Sequence, residues 1–246
     1  MVKKEAQKDW SEFTSSKVVE KCKEDDAKLV MRLQKPKGKV DVVIDTDTYN
    51  EIDDQFAVAY LIKSDEKLNL KAIYAAPFHN EKSTGPADGM EKSYQEIMNI
   101  LTLLEREDLK SNVFRGSTSY MSSETEPVIS DAAKDLAERA MDYSEENPLY
   151  VIAIGAITNV SSALLINPEI KNRIVLIWLG GNAVHWPHNR EFNLFQDVAG
   201  ARIVFGCGVP LVQLPCICLL YTSPRWLYWS ASSWQMKAFW RLRHQS

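Results

Sequence analysis

Cysteine is scarce in this chain, with four among 246 residues. Cys22, Cys207, Cys216 and Cys218 show no paired C-x-x-C spacing, and Cys216 and Cys218 stand too close together for an ordinary zinc site. They read as reduced thiols, so a cytoplasmic setting is expected. No stretch reaches the ~18 consecutive apolar residues that mark a membrane-spanning helix. The opening MVKKEAQKDWSEF lacks the apolar core of a signal peptide. Neither membrane insertion nor secretion is therefore expected. Basic charge is not in excess either: Lys and Arg number 29 against 33 Asp and Glu, a net charge of −4. Nothing in that balance would draw the chain to nucleic acid, whereas an uncharged small molecule is compatible with it. What is abundant is apolar sequence, 45% of the residues, ample for the core of one large α/β domain.

The most informative stretch is VDVVIDTDTYNEIDDQFAVAYLI, residues 40–62. Val40, Val42, Val43 and Ile44 form a nearly continuous β-branched run, as expected of a strand buried on both faces of a parallel sheet. Five acids then fall within ten positions: Asp45, Asp47, Glu51, Asp53 and Asp54. Alternation along a strand points Asp45 and Asp47 the same way at its carboxyl end. Phe56, Ala57, Ala59, Tyr60 and Leu61 continue at helical spacing, which sets Asp53 and Asp54 at a helix N-terminus. The helix dipole favours acids there by only ~0.3–1 kcal/mol. Converging carboxylates repel by about 4 kcal/mol per pair at 4 Å and an effective dielectric near 20. A bound cation resolves the conflict. Oxygen ligands without nearby Cys or clustered His point to Ca²⁺ or Mg²⁺ rather than Zn²⁺. The plainer alternative is that Asp53 caps the helix and the other acids are solvated. An EF-hand does not fit, because Asn50 and Phe56 stand where that loop needs Gly and Glu.

Further along, 70–76 reads as a second strand, followed by the long polar loop PFHNEKSTGPADGMEKS. Met90, Tyr94, Ile97, Met98, Leu101 and Leu104 mark an amphipathic helix. A short strand begins at Val113, and 131–143 is helical, with Leu136, Ala137, Ala140 and Met141 inward. The stretch 149–154 is a buried strand leading into GAITN and a helix that stops near Pro168. Another strand, 173–179, runs into Gly180-Gly181-Asn182, where glycine permits positive φ or close approach of a ligand. The alternation of strands and helices argues an α/β fold, a mostly parallel sheet with helices on both faces. Ligands then belong in the crevice at the carboxyl ends of the strands.

DTDTYNEIDDQFA resembles the aspartate signature of the inosine-uridine-preferring nucleoside hydrolase family, DTDxGxDD, with two extra residues between Asp47 and Asp53, as in a subgroup written DTDxxNExDD. GAITN is similar to the family's GPLTN turn, and REFNLFQD to its EFNxxxD block. The resemblance covers roughly 39–216 and implies a Rossmann-like fold, hydrolysis of the N-glycosidic bond of ribonucleosides, and a place in purine or pyrimidine salvage. It implies that Asp47 and Asp54, with the backbone carbonyl of Ile154, bind the metal, that Asp47 is also the base, and that Asp45 supports the ligands from behind. Asp53, Asn80, Glu191 and Asn193 would contact the nucleoside, while Asp197 opens the next helix as a cap. Asn182 is a further candidate contact, and His185 and His188 lie close enough in sequence to join them. The pair Asp45/Asp47 is also similar to the DxDx(T/V) loop of haloacid-dehalogenase phosphatases. Tyr49 occupies the last position of that motif, however, and Asp53-Asp54 comes too early. A third reading is a nucleoside- or ribose-binding protein without turnover. Oligomeric state stays open, a homo-oligomer included.

Three segments follow. Residues 1–38 are a charged extension with a helix on which Val18, Val19, Cys22, Leu29, Val30 and Leu33 share a face, expected to pack beside the sheet. Residues 39–216 are the α/β domain. Beyond Cys216 the composition breaks: the last acid is Asp197, and Trp226, Trp229, Trp234 and Trp240 are four of the seven tryptophans. That segment, 217–246, reads either as a basic aromatic helix for a membrane or partner or, the favoured reading, as sequence foreign to the domain. On that expectation the family's last metal-binding Asp and its frequent catalytic His are missing, and the cation would be bound poorly.

Overall fold

A computed structural model of the chain describes residues 27–183 and 186–216. Contacts divide the chain after Pro36. Before that point the described residues form a helix over 27–32, on which Leu29 and Val30 are exposed. Val18, Val19 and Cys22, the rest of the expected apolar face, lie outside the described residues, as do 217–246.

The domain is built on a sheet of six strands: β1 (Val40–Thr46), β2 (Leu68–Ala75), β3 (Val113–Arg115), β4 (Leu149–Ala153), β5 (Ile174–Leu179) and β6 (Leu211–Leu214). Their order is β3-β2-β1-β4-β5-β6, and every neighbouring pair is parallel. Parallel neighbours require crossovers, which α1 (Ile52–Lys63), α2 (Pro86–Leu103), α3 (Asp131–Arg139), α4 (Thr158–Ile166), α5 (Phe192–Gln196) and α6 (Val198–Gly206) supply. Alternation along the strands divides the core in two. Val43, Tyr74, Val151, Leu176 and Trp178 pack with α3, α4 and α6, whereas Ile44, Ile73 and Ala75 pack with α1 and α2. The α/β expectation of a parallel sheet covered on both faces is met.

One helix face could not be assigned from spacing, and one local reading, that of Met141, needs correction. Helix α1 turns inward through Asp54, Val58, Leu61 and Ile62, while Phe56 and Tyr60 are 55% and 71% exposed. The inward stripe therefore includes a carboxylate, which apolar spacing alone passes over. Met141 falls in a 3₁₀ turn after α3 and is exposed, because the tighter winding rotates it off the helix's buried face.

Chain direction reverses in the sheet order between β1 and β4, where crossovers leave for opposite edges. That junction is the switch point at which open α/β sheets form a crevice. The DTD sequence ends β1 there, and GAITN follows β4 beside it. Among the described residues no helix is long and apolar enough to cross a membrane.

Candidate active site

Asp45 faces the α4 side of the sheet, as Val43 does two residues earlier. Its Oδ1 accepts a 2.8 Å hydrogen bond from Asn159 Nδ2, and its Oδ2 is buried with no partner. Asn159 is held in turn by its Oδ1, which accepts from Ser117 N at 2.7 Å and Ser117 Oγ at 2.8 Å. Burial outweighs the Asn159 bond and pushes the Asp45 carboxyl up to about 7. One residue on, Thr46 faces the other side, and its hydroxyl donates to Asp54 Oδ1 at 2.7 Å. Strand alternation thus ties the first turn of α1 to the end of β1.

Asp47 is 1% exposed and Asp54 6%. Asp47 Oδ2 accepts from Asn50 Nδ2 at 3.0 Å. A Cβ placed on Gly155 would come within 2.8 Å of Asp47 Oδ1, so the first residue of GAITN has to be glycine for the carboxylate to lie where it does. Burial raises the carboxyls of both Asp47 and Asp54, with further repulsion from Glu51 and Asp45 on Asp47 and from Asp47 on Asp54. No other side chain donates to Asp47 Oδ1 or Asp54 Oδ2 among the described residues. Ile154, whose carbonyl is the third expected ligand, anchors β4 to β1 through Ile154 N→Asp45 O at 2.9 Å.

These observations test whether the residues fit a cation. Asp47 and Asp54 are buried carboxylates that each keep one oxygen to which no side chain donates, Asp45 has an orphaned one, and the Ile154 carbonyl, which also accepts from Asn193 Nδ2, follows β4 at the same end of the sheet. Such all-oxygen donors suit a hard divalent ion, which accepts carbonyls and waters alongside carboxylates. Among the described residues no three His, Cys, Asp or Glu side chains come together as a ready metal cluster. The site fits an ion only if the carbonyl and water complete the shell.

The other expected residues divide into three groups. Asp53 is exposed on the first turn of α1. Asn80, Glu191 and Asn193 are brought to the crevice but already hold backbone or neighbours. Asn80 donates to Asn50 Oδ1 at 2.7 Å and accepts from Lys82 N at 2.9 Å. Glu191 caps α5, accepting from Asn193 N and Leu194 N at 2.9 Å each and from Gly181 N at 2.7 Å. Gly181 takes φ 76°, as expected of the paired glycines. Asn193 Nδ2 bridges Ile154 O at 3.0 Å and Leu179 O at 2.9 Å, leaving Oδ1 for a ligand. Asn182 and His188 are joined to each other, Asn182 Nδ2 donating to His188 O at 2.9 Å in an exposed loop. His185 lies outside the described residues.

Five participants were not singled out by sequence. Asn50 and Asn159 contact the aspartates directly. Thr158 Oγ1 donates to Asp197 Oδ2 at 2.5 Å, and Asp197 caps α6 by accepting from Gly200 N at 2.8 Å. Tyr120 donates to Gln196 Oε1, and burial with the charges of Asp47 and Asp197 raises its phenol. Thr158 and Asn159 stand in the quoted GAITN turn, so its polar residues were the available signal. Nothing local marks Tyr120 or Gln196.

The sequence pattern of the family described as inosine-uridine preferring nucleoside hydrolase matches residues 42–243. The chain belongs to that family. The pyrimidine-specific ribonucleoside hydrolase RihA of Klebsiella pneumoniae is 29% identical over 183 residues, covering 65% of this chain and 56% of its own length. This nucleoside hydrolase family member thus spans about half the length of the curated relatives it matches. The purine-preferring ribonucleoside hydrolase of Gardnerella vaginalis superposes with a TM-score of 0.56 at 22% identity, over 70% of this chain and 60% of that one. The inosine-uridine preferring nucleoside hydrolase of Bacillus anthracis gives 0.53 at 18% identity, over 75% and 67%. These likenesses establish the family's fold for the described sheet.

Proposed function

We propose that the protein hydrolyses the N-glycosidic bond of ribonucleosides, releasing free base and ribose, with a divalent cation, Ca²⁺ rather than Mg²⁺, held by Asp47, Asp54 and the Ile154 carbonyl. The observation that carries this reading is the pair of buried carboxylates, Asp47 and Asp54, each with one oxygen to which no side chain donates, at the β1/β4 switch point of a family member's sheet. In the reaction a water oxygen bonds to the anomeric carbon, and the C–N bond breaks with its electron pair leaving on the base. Positive charge builds on the sugar ring as it does so. Buried carboxylates are complementary to that charge, which is how a site favours a transition state over its substrate. A cation bound there supplies a polarised water of lowered pKa. Asp47 accepts the water's proton at Oδ1, and Asn50 keeps the carboxylate from turning away. Asp54, tied to Thr46, holds its place as a ligand, and Asp45 stays behind them on Asn159. Asn193 offers Oδ1 to a ribose hydroxyl, and exposed Asp53 lines the approach.

The relatives named above divide between pyrimidine-specific and purine-preferring, so both classes belong in the assay. Uridine and inosine should each be tested for reducing sugar, with calcium and with chelator. Ribose release that is lost in Asp54→Ala together with calcium binding by calorimetry supports the proposal. Saturable nucleoside binding with no ribose would point to a binding protein, and phosphate release from a phosphomonoester to the phosphatase alternative.

A further inference from the structure

Asn50 stands in the two-residue widening of the aspartate turn and is 4% exposed, a deep position for a turn asparagine. Its four polar groups are all engaged. Asn50 N donates to Asp47 O at 2.7 Å, Nδ2 donates to Asp47 Oδ2 at 3.0 Å, Oδ1 accepts from Asn80 Nδ2 at 2.7 Å, and its carbonyl accepts from Lys82 Nζ. Amide oxygen and nitrogen are told apart only by their partners, and here the partners decide. Lys82 N can only donate, so the side-chain atom of Asn80 facing it is Oδ1. Asn80 must then present Nδ2 to Asn50. Asn50 consequently presents Oδ1 to Asn80 and Nδ2 to Asp47. The polarity of the whole chain is fixed from a backbone amide in the loop after β2 to the carboxylate at the end of β1.

Carboxylate rotation about χ2 is a broad torsion that packing alone restrains weakly. Asp47 is restrained on one side by the Asn50 donor and on the other by the close approach of Gly155. Among the described residues no side chain donates to Oδ1. We propose that Asn50 is a positioning residue that sets the Asp47 carboxylate, and that Asn80 acts through Asn50 rather than on the nucleoside. The proposal rests on the reading of Asp47 as ligand and base. It assigns to the widened turn a task beyond reaching from Asp47 to Asp53.

The test is a double-mutant cycle of Asn50→Ala and Asn80→Ala in the full chain, with Asp47→Ala as reference. Calcium Kd by calorimetry, and kcat and KM for uridine and inosine, are the readouts, with far-UV circular dichroism to show that each variant is folded. Groups that orient a metal ligand typically contribute 10–100-fold in affinity or activity. Asn50→Ala is expected to weaken calcium binding and lower kcat by about that factor, with KM little changed. Asn80→Ala should do the same to a smaller degree and add nothing in the Asn50→Ala background. Because Asn80 is only half-buried, its variant keeps the test open should Asn50→Ala not fold. Unchanged calcium affinity in Asn50→Ala, where Asp47→Ala abolishes binding, would overturn the proposal and leave the metal reading standing. A rise in KM from Asn80→Ala in both backgrounds, with calcium affinity unmoved, would overturn the relay. Calcium binding untouched by Asp47→Ala would remove the metal reading and this proposal with it.

Discussion

Replacing Asp45 by Asn isolates a single buried titration. The side chain is 0% exposed, and burial raises its carboxyl from 3.8 to about 7. A folded-state pKa above the unfolded one means that the proton stabilises the folded protein. This contribution is fully present below about pH 4 and is lost as pH rises through about 7. The gap of about three pH units, at ~1.4 kcal/mol each, is on the order of 4 kcal/mol. Asparagine cannot titrate, and it keeps an acceptor for Asn159 Nδ2. Its own amide group occupies the place of the orphaned Oδ2, a pH-independent cost of roughly 1–3 kcal/mol that displaces the curve without tilting it. Urea unfolding of wild type and Asp45→Asn in chelator from pH 4.5 to 8 should therefore show the variant gaining on wild type as pH rises, by several kcal/mol in total. At roughly 2–4 °C per kcal/mol for a chain of this size, thermal midpoints should converge or cross within the same window. A stability difference that is flat with pH would refute the reasoning, because Asp45 would then ionise at its ordinary value despite its burial.

Two further changes probe the geometry around the carboxylates. Gly155→Ala places a methyl 2.8 Å from Asp47 Oδ1 and 3.1 Å from Ala76 Cβ, so Asp47 must shift; calcium affinity should fall at least tenfold while circular dichroism stays native. Asn193→Ala removes the donor shared by Ile154 O and Leu179 O, and urea unfolding should report a loss of about 1–3 kcal/mol.

Much of the site could be read from the order of its motifs. A β-branched run ending in DTD, a buried strand followed by GAITN, and an EFN block after a third strand are local patterns, and each lands at a strand's carboxyl end. What could not be read is pairing across distance. Asn159 meets Asp45 over 114 residues, and Asn50 meets Asn80 over 30, because β4 and β2 flank β1 in the sheet. A sequence pattern gives alternation and period but no neighbours. The face of α1 is hidden for a related reason: helical spacing marks the helix but not the side that turns inward, and that side carries Asp54, which accepts from Thr46 Oγ1.

The same amides explain how a rim of buried charge is kept in order. Where a parallel sheet runs out, strand-end carbonyls lose their ladder partners and need donors. Asn159 Nδ2 reaches Ala75 O at the end of β2 at 3.2 Å, Asn193 serves Ile154 O and Leu179 O after β4 and β5, and Gln213 Nε2 reaches Gly180 O at 3.0 Å. Trp178 Nε1 does the same for Gly155 O at 3.1 Å. An amide has two hydrogens and an acceptor, so one side chain can close a strand end and still contact a carboxylate, as Asn159 does with Asp45. Lysine or arginine could have capped those carbonyls too, but their charge would neutralise the aspartates that a cation has to meet. Neutral donors at these strand ends order the rim while leaving its negative charge free, and the base that does enter the turn, Lys82, spends its Nζ on the Asn50 carbonyl rather than on Asp47 or Asp54.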